Sequence, residues 1–325
     1  MSKILVTGGA GYIGSHTALA LNAAGYEVVV YDNLSTGRRD AVLSPSELLV
    51  ADLKDVVYLD NIMSIENFSA IIHFAASIVV PESVEKPLLY YRNNTVNTAL
   101  LVELAVKHAI PHFVFSSTAA VYGMPDQGQV TEQTAVNPIN PYGRSKLMDE
   151  WIIEDTARAH PGFRHVTLRY FNVAGGDPQG RVGQSTPDAT HLIKVACQAA
   201  LGRREQLAIY GTDYPTPDGT GVRDYIHVTD LADVHVQALK FLEAGNRSET
   251  LNCGYGHGYS VREIVQTVRE VSNSDFQVVE ADRRPGDPPQ LIADSSRLMR
   301  TFGWKPKHDD IRDIVKTALN WERRL

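Results

Sequence analysis

Six short apolar runs rich in β-formers punctuate the first half of this chain: Lys3 to Val6, Glu27 to Tyr31, Glu47 to Val50, Ala70 to Phe74, His112 to Phe115 and His165 to Arg169. Longer amphipathic stretches separate them, and that alternation signals βαβ units around a parallel sheet. Ile4-Leu5-Val6 and Val28-Val29-Val30 are apolar without a break, as central strands covered by helices on both faces are. A chain of 325 residues exceeds what one hydrophobic core usually serves, so a smaller second domain is expected.

The first strand runs into Thr7-Gly8-Gly9-Ala10-Gly11-Tyr12-Ile13-Gly14, which holds Gly9-x-Gly11-x-x-Gly14 and also Gly8-x-x-Gly11-x-x-Gly14. Glycines at such spacing allow a tight turn, a close approach of backbone to a pyrophosphate, and a helix packed hard on its strand. The helix N-terminus supplies free N–H groups and a positive dipole end. An apolar helix from Tyr12 to Ala24 follows, stopping at Gly25, and a second strand ends at Asp32, eighteen positions after Gly14. A carboxylate there accepts from both ribose hydroxyls and repels a 2′-phosphate, which favours NAD over NADP; Arg38 and Arg39 read as a solvated loop face. The expected fold is α/β, a Rossmann-type doubly wound parallel sheet with a smaller α/β substrate-binding C-terminal domain. Asp52 closes the third strand near the adenine edge, and Phe74-Ala75-Ala76 ends the fourth beside the expected cofactor groove.

Phe115-Ser116-Ser117-Thr118 ends another apolar strand, and Tyr142-Gly143-Arg144-Ser145-Lys146 opens a helix 24 residues after Thr118. Tyr142 and Lys146 stand one helical turn apart on one face, so their charges interact. A phenol titrates near ~10, and lowering that by about three units takes roughly 4 kcal/mol. One cation ~4 Å away near a protein surface supplies about that much. Lys146 is that cation in this reading, Tyr142 the base, and Thr118 a hydroxyl that binds the reacting oxygen and steers its proton.

These motifs, TGGAGYIG, SSTAAVYG and YGRSK, together with LRYFNVAG and GTGVRDYIHVTDLA, resemble the extended short-chain dehydrogenase/reductase family over essentially the whole chain, most closely its UDP-glucose 4-epimerase branch. The resemblance implies reversible 4-epimerisation of UDP-glucose and UDP-galactose through a transient 4-keto sugar, with tightly bound NAD. It implies that Gly8, Gly11, Tyr12, Ile13, Gly14, Asp32, Asn33, Asp52, Leu53, Phe74, Ala75 and Asn93 hold NAD, with Lys146 on the ribose and Phe171 near the nicotinamide. It further implies that Asn172, with His191 and Leu192, lies along the nucleotide-sugar, that Arg223 and Arg284 pair with the diphosphate, that Asp287 meets the uridine ribose, and that the backbone from Leu207 to Tyr210 meets the uracil.

The chain departs from the family's common pattern at Ser77-Ile78, where a Lys is frequent, at His191, where Asn is frequent, and at Leu291, where a bulky Tyr is associated with excluding N-acetylated sugars. 4-Epimerases of UDP-N-acetylhexosamines or UDP-pentoses are therefore the alternative reading. Ala119 and Ala120 stand where nucleotide-sugar dehydratases need an acid and a base, which argues against dehydration. A non-catalytic NAD-binding sensor has no need of Thr118, Tyr142 and Lys146 together.

Net charge is −7 and no window is dominated by Lys and Arg, so neither nucleic acid nor an anionic membrane is an expected partner. The apolar stretch after Met1 is too short for a leader or a membrane span, so a cytoplasmic enzyme is expected. The two cysteines, Cys197 and Cys253, have no paired spacing and read as buried fillers. His73, His191, His227 and His235 show no metal-ligand spacing, and no metal is expected. Two helices, Leu88 to Ala105 and Tyr142 to Ala157, are more apolar than one buried face requires. They either pack deeply or form a subunit interface, and the second reading makes a homodimer through helices around residues 88–108 and 142–157. After Gly175 the composition turns to Gly, Pro, Asp and Thr, with loops at Gly175 to Asp188, Gly211 to Gly221 and Arg283 to Pro289. The expected boundary leaves an NAD-binding domain at 1–174, taking strands from about 222–255, and a nucleotide-sugar domain at 175–325.

Overall fold

The computed structural model describes residues 2–186, 189–284 and 286–325, so Asp188 and Pro285 of the expected loops lie outside the described residues. The chain divides into two compact units, one of residues 1–123, 136–169 and 232–251 and the other of residues 124–135, 170–231 and 252–325.

The first unit is built on a seven-stranded sheet. Its strands are β1 (Lys3–Thr7), β2 (Glu27–Asp32), β3 (Glu47–Val50), β4 (Phe68–His73), β5 (His112–Thr118), β7 (Arg164–Tyr170) and β12 (Glu249–Cys253). Their order across the sheet is β3-β2-β1-β4-β5-β7-β12. Each neighbouring pair from β3 to β5 is parallel. The expected doubly wound sheet is present, and the order reverses beside β1, where ligands collect in such folds.

The helices of this unit are α1 (Tyr12–Ala23), α2 (Val56–Ile65), α3 (Val80–Glu85), α4 (Pro87–Tyr90), α5 (Asn97–Lys107), α6 (Pro141–Ala159) and most of α8 (Val228–Glu243). Residues Ile4, Leu5 and Val6 are fully buried, and Leu5, Ile71, Leu101, Phe113 and Ile153 share one core. Each such side chain contributes about 1.5–3 kcal/mol by leaving water. The helix expected from Leu88 to Ala105 is interrupted by a wider π turn over Tyr91–Val96, a device that shifts the side-chain register where a helix meets a site. Its inner face is core, as at Leu101, yet Leu88 is 65% exposed and Trp151 of α6 is 53% exposed, so deep packing accounts for only part of their apolar character.

Asn140 caps α6 by accepting from the Gly143 N–H at 2.8 Å, with Pro141 in the first helical position. That cap and the rigid proline fix where the Tyr142 side chain leaves the helix.

Among the described residues, the second unit has three small sheets. One of four strands runs in the order β13 (Tyr259–Ser260), β10 (Val222–Arg223), β15 (Gln290–Ala293), β6 (Gln129–Val130). Two parallel pairs join β8 (Asn172–Ala174) to β11 (Tyr225–His227) and β9 (Gln206–Tyr210) to β14 (Gln277–Ala281). Its helices are α7 (Leu192–Ala200), α9 (Val261–Ser272), α10 (Ser296–Phe302) and α11 (Ile311–Glu322). The Ser260–Glu263 capping box starts α9. Asp224 is buried and gathers the backbone N–H groups of Tyr255, Gly256 and Ala293, which locks β10 to its neighbours. Cys197 and Cys253 are both buried thiols. No described helix is long and apolar enough to cross a membrane.

Candidate active site

The glycine loop folds tightly over its own backbone. Gly8 sits at φ +72°, and a Cβ there would meet the Ala75 nitrogen at 2.6 Å, so the loop lies directly against the end of β4. A Cβ on Gly14 would strike the Gly8 carbonyl oxygen. No side chain caps the first turn of α1, whose N-terminus begins at Gly11 and brings Tyr12 and Ile13, both half-buried, to the loop. Backbone N–H groups on a concave turn with no side chain in the way form a cradle for an anion.

Asp32, at the end of β2, accepts from the Ala10 N–H at 3.0 Å and the Leu34 N–H at 2.8 Å. Burial raises its pKa, while those two donors oppose the rise. Asn33 donates to the Asp52 carboxylate at 2.9 Å, and the Tyr31 hydroxyl donates to the Asp52 carbonyl at 3.0 Å, so the ends of β2 and β3 are tied together. Leu53 is buried beside them. Arg38 is paired with Asp40 on the surface.

Phe74 packs against His235, ring centres 4.7 Å apart. Beyond it, Ser77 is clasped from the π turn: Asn94 accepts from its N–H at 2.8 Å and donates to its carbonyl at 3.0 Å, while Asn93 donates to its hydroxyl at 3.0 Å. Asn94 also donates to the Ser145 hydroxyl at 2.9 Å. The departure at Ser77 is thus a joint between β4, the π turn and α6, a role that residue type and spacing did not signal.

Thr118 ends β5 within hydrogen-bond reach of Tyr142. Its oxygen accepts from the Ala120 N–H at 3.1 Å, which leaves its proton to be donated to the Tyr142 oxygen, an arrangement that favours the phenolate. Burial still raises the Tyr142 pKa in the ligand-free protein, with Thr118 lowering it and Asp149 raising it. Lys146 is 2% exposed, and its Nζ stands 4.6 Å from the Phe115 ring centre with no hydrogen-bond partner among the described residues. A buried ammonium without an acceptor is an anomaly that a ligand hydroxyl would resolve. The glycine cradle, the Asp32 carboxylate and this amine together fit a dinucleotide.

A second feature was not legible from residue types. Glu150, one turn beyond Lys146, takes a forked pair from Arg169, with Nη2 to Oε2 at 2.6 Å and Nε to Oε1 at 3.0 Å, and accepts from the Ser117 hydroxyl. Arg169 also donates to the Tyr122 hydroxyl at 3.1 Å. All four residues are buried, and the network braces β5 and α6 on either side of Thr118 and Lys146.

The expected nucleotide-sugar residues belong to the second unit. Arg223 donates to Asp287 at 2.7 Å, and the Arg284 guanidinium lies 3.9 Å from the centre of the Tyr210 ring. The adjacent Arg283 stacks on Tyr214 at 4.2 Å, a parallel feature absent from the sequence reading. Leu291 is directly opposite Arg223 in the β10–β15 register and is 9% exposed. Asn172 is exposed at the start of β8, after the buried Phe171, and Leu207 is buried in β9. Gln184 donates to His191 Nδ1 at 2.8 Å, which leaves the proton of this imidazole on Nε2 and makes that atom a donor. Leu192 opens α7 next to it.

His227 does lie with His308 and Asp313, in a grouping the linear spacing did not reveal. His227 stacks on His308 at 4.5 Å, but its Nδ1 accepts from the Thr229 N–H and its Nε2 meets the Thr317 hydroxyl at 3.0 Å. Both ring nitrogens are committed to protein, as in a structural histidine.

Residues 4–254 match the model of the NAD dependent epimerase/dehydratase family. The chain is 57% identical over 323 residues to the UDP-glucose 4-epimerase of Azospirillum brasilense, covering 99% of this chain and 92% of that one. The UDP-glucose 4-epimerase of Brucella ovis, whose crystal structure is in complex with NAD, superposes with a TM-score of 0.95 at 44% identity over 99% of both chains. The UDP-Glc/GlcNAc 4-epimerase of the human pathogen Campylobacter jejuni matches at 47% identity with a TM-score of 0.88, over 100% of both. The glycine cradle on a doubly wound sheet and these full-length likenesses agree: the chain belongs to the NAD dependent epimerase/dehydratase family, in the branch that holds the UDP-glucose 4-epimerases.

Proposed function

We infer that this enzyme interconverts UDP-glucose and UDP-galactose by reversible oxidation at C4, using tightly bound NAD. The observation that carries the reading is Tyr142 within hydrogen-bond reach of the Thr118 hydroxyl and one helical turn from the buried Lys146, in a chain similar end to end to UDP-glucose 4-epimerases. The first unit would hold the dinucleotide through the backbone of Gly8, Gly11, Tyr12, Ile13 and Gly14, with Asp32 on the adenosine ribose. Asn33, Asp52, Leu53, Phe74, Ala75 and Asn93 would line the rest, and Phe171 would face the nicotinamide. The second unit would hold UDP through Arg223, Arg284 and Asp287, with Asn172, His191, Leu192, Leu207, Tyr210 and Leu291 along the nucleotide-sugar.

NAD, when bound, supplies the reversible redox chemistry at C4. Tyr142, as phenolate, takes the proton of the C4 hydroxyl; Thr118 binds the same oxygen and holds it in line. Lys146 stabilises the phenolate by its charge and meets the nicotinamide ribose. Arg223 and Arg284, forked and permanently charged, would keep the diphosphate fixed while the 4-keto sugar turns over, so that its C4 oxygen returns to Tyr142 with the opposite face of C4 toward the cofactor site. Tyr142 then returns the proton, and the enzyme ends as it began.

Leu291 favours a second substrate class. A leucine leaves more room than a tyrosine, and the Campylobacter jejuni relative is named for both UDP-Glc and UDP-GlcNAc. Purified protein incubated separately with UDP-galactose, UDP-N-acetylgalactosamine and UDP-xylose, with products resolved by chromatography, tests both readings. UDP-glucose should form from UDP-galactose, and the N-acetylated epimer should form more slowly. No conversion of UDP-galactose would defeat the main reading, and none of UDP-N-acetylgalactosamine the extension. The protein is further proposed to work in the cytoplasm, as a homodimer through the outer faces of α4 to α6.

A further inference from the structure

α6 carries a third ionisable side chain that the chemistry above does not use. Tyr142, Lys146 and Asp149 stand at i, i+4 and i+7, which at about 3.6 residues per turn is a single stripe. Asp149 is 0% exposed, and neither of its oxygens makes a hydrogen bond of good geometry among the described residues. An isolated buried carboxylate is strongly disfavoured and persists only beside an opposite charge.

Among the described residues, the groups that face this pair leave Asp149 as the one carboxylate near Lys146 that is not already paired with an arginine. Glu150, on the same helix, is engaged by Arg169 of β7 and Ser117 of β5. Thr95 of the π turn has its hydroxyl 3.3 Å from the Ser145 carbonyl and also lies within hydrogen-bond reach of Asp149, a neutral contact that helps to hold the carboxylate. Phe115 of β5 offers Lys146 only its ring face. His73 of β4 has its ring nitrogens on Thr7 and Thr98, and burial, with Lys146 nearby, lowers its pKa to about 3, so it carries no charge.

We infer that Asp149 is the counter-charge that keeps buried Lys146 an ammonium, and that through Lys146 it sets the pH range over which Tyr142 works. This rests on the assignment of Tyr142 as the base. Along the helix Asp149 rises about 4.5 Å from Lys146 and about 10.5 Å from Tyr142, so its field acts first on the ammonium. Burial lowers the Lys146 pKa while Asp149, then Glu150, hold it up; burial raises the Asp149 pKa to about 7 against the pull of Lys146 and then of the Thr95 hydroxyl. Asp149 is a positioning residue, acting through its neighbour.

Removing this negative charge weakens the hold on the ammonium proton and relieves the phenolate of a repulsion. Both groups then lose their protons at lower pH. Asp149→Asn should move both limbs of the pH profile of kcat/KM toward acid by about one unit, or about tenfold lower activity on the alkaline limb. NAD content and melting temperature of the holoenzyme establish that the fold is intact. A purely structural role would lower the profile without moving its limbs, and unmoved limbs overturn the inference. Asp149→Ser carries the same expectation should the asparagine variant not accumulate. Tyr142→Phe is measured alongside: if it turns over normally the base assignment itself fails, whereas an inactive Tyr142→Phe with unmoved Asp149→Asn limbs sinks Asp149 alone.

Discussion

At the scale of single residues, the chemistry depends on the company a phenol keeps. Tyr142 is half-buried, and packing around its oxygen raises its pKa, so the ligand-free protein holds it as a neutral acid. Thr118 lies within hydrogen-bond reach of it, and Lys146 stands one turn away with no hydrogen-bond acceptor among the described residues. In the proposed mechanism a nearby positive charge from the oxidised cofactor would then shift Tyr142 toward phenolate. Replacing the hydroxyl alone isolates this function. Tyr142→Phe should keep the fold and the bound NAD, seen by absorbance and by thermal melting, while turnover falls at least ~10²-fold. Wild-type turnover in that variant would mean that another group moves the proton.

At the scale of elements, α6 and β5 must hold those side chains in register, and the buried Arg169–Glu150 fork braces them. Removing one member of a buried pair strands the other without compensation, so Glu150→Gln is expected to cost about 3–5 kcal/mol of stability. Replacing both, as Glu150→Leu with Arg169→Met, should recover most of that loss. Urea midpoints of the three proteins check this, and equal losses in single and double variants would contradict it. The strands and α1 were legible because covered parallel strands are apolar throughout and because Gly8 to Gly14 leave few alternatives to a tight turn between strand and helix. The charged side chains of α6 were not. Asp149 and Glu150 look, in a list of letters, like a solvated face; only the packing of the π turn, β5 and β7 around them turns that face inward. The grouping of His227 with His308 and Asp313 was hidden for a similar reason, since α11 and the loop before it return to β11 from far along the chain.

At the scale of the whole molecule, large exposed apolar residues lie on α2, at Val57 and Ile65, as well as on the helices proposed as an interface. On the latter, Val84, Leu88 and Val96 of the α3 to α5 region and Trp151 of α6 leave their side chains in water, and a partner's surface would cover them. Light scattering coupled to gel filtration should give the mass of two chains, and Trp151→Asp should shift it toward one. A wild-type mass of 35.8 kDa would remove the proposed interface.

The order of the large sheet carries one more implication. Its outermost strand, β12, is supplied by residues 249–253, long after β7 at 164–170, and residues 170–231 of the other unit lie between them in the chain. A ribosome must therefore synthesise much of the second unit before the first can close its edge. Neither part can be lifted out with one cut, so recombination that exchanges sugar preference between relatives has to proceed by small loop grafts, not by trading intact modules.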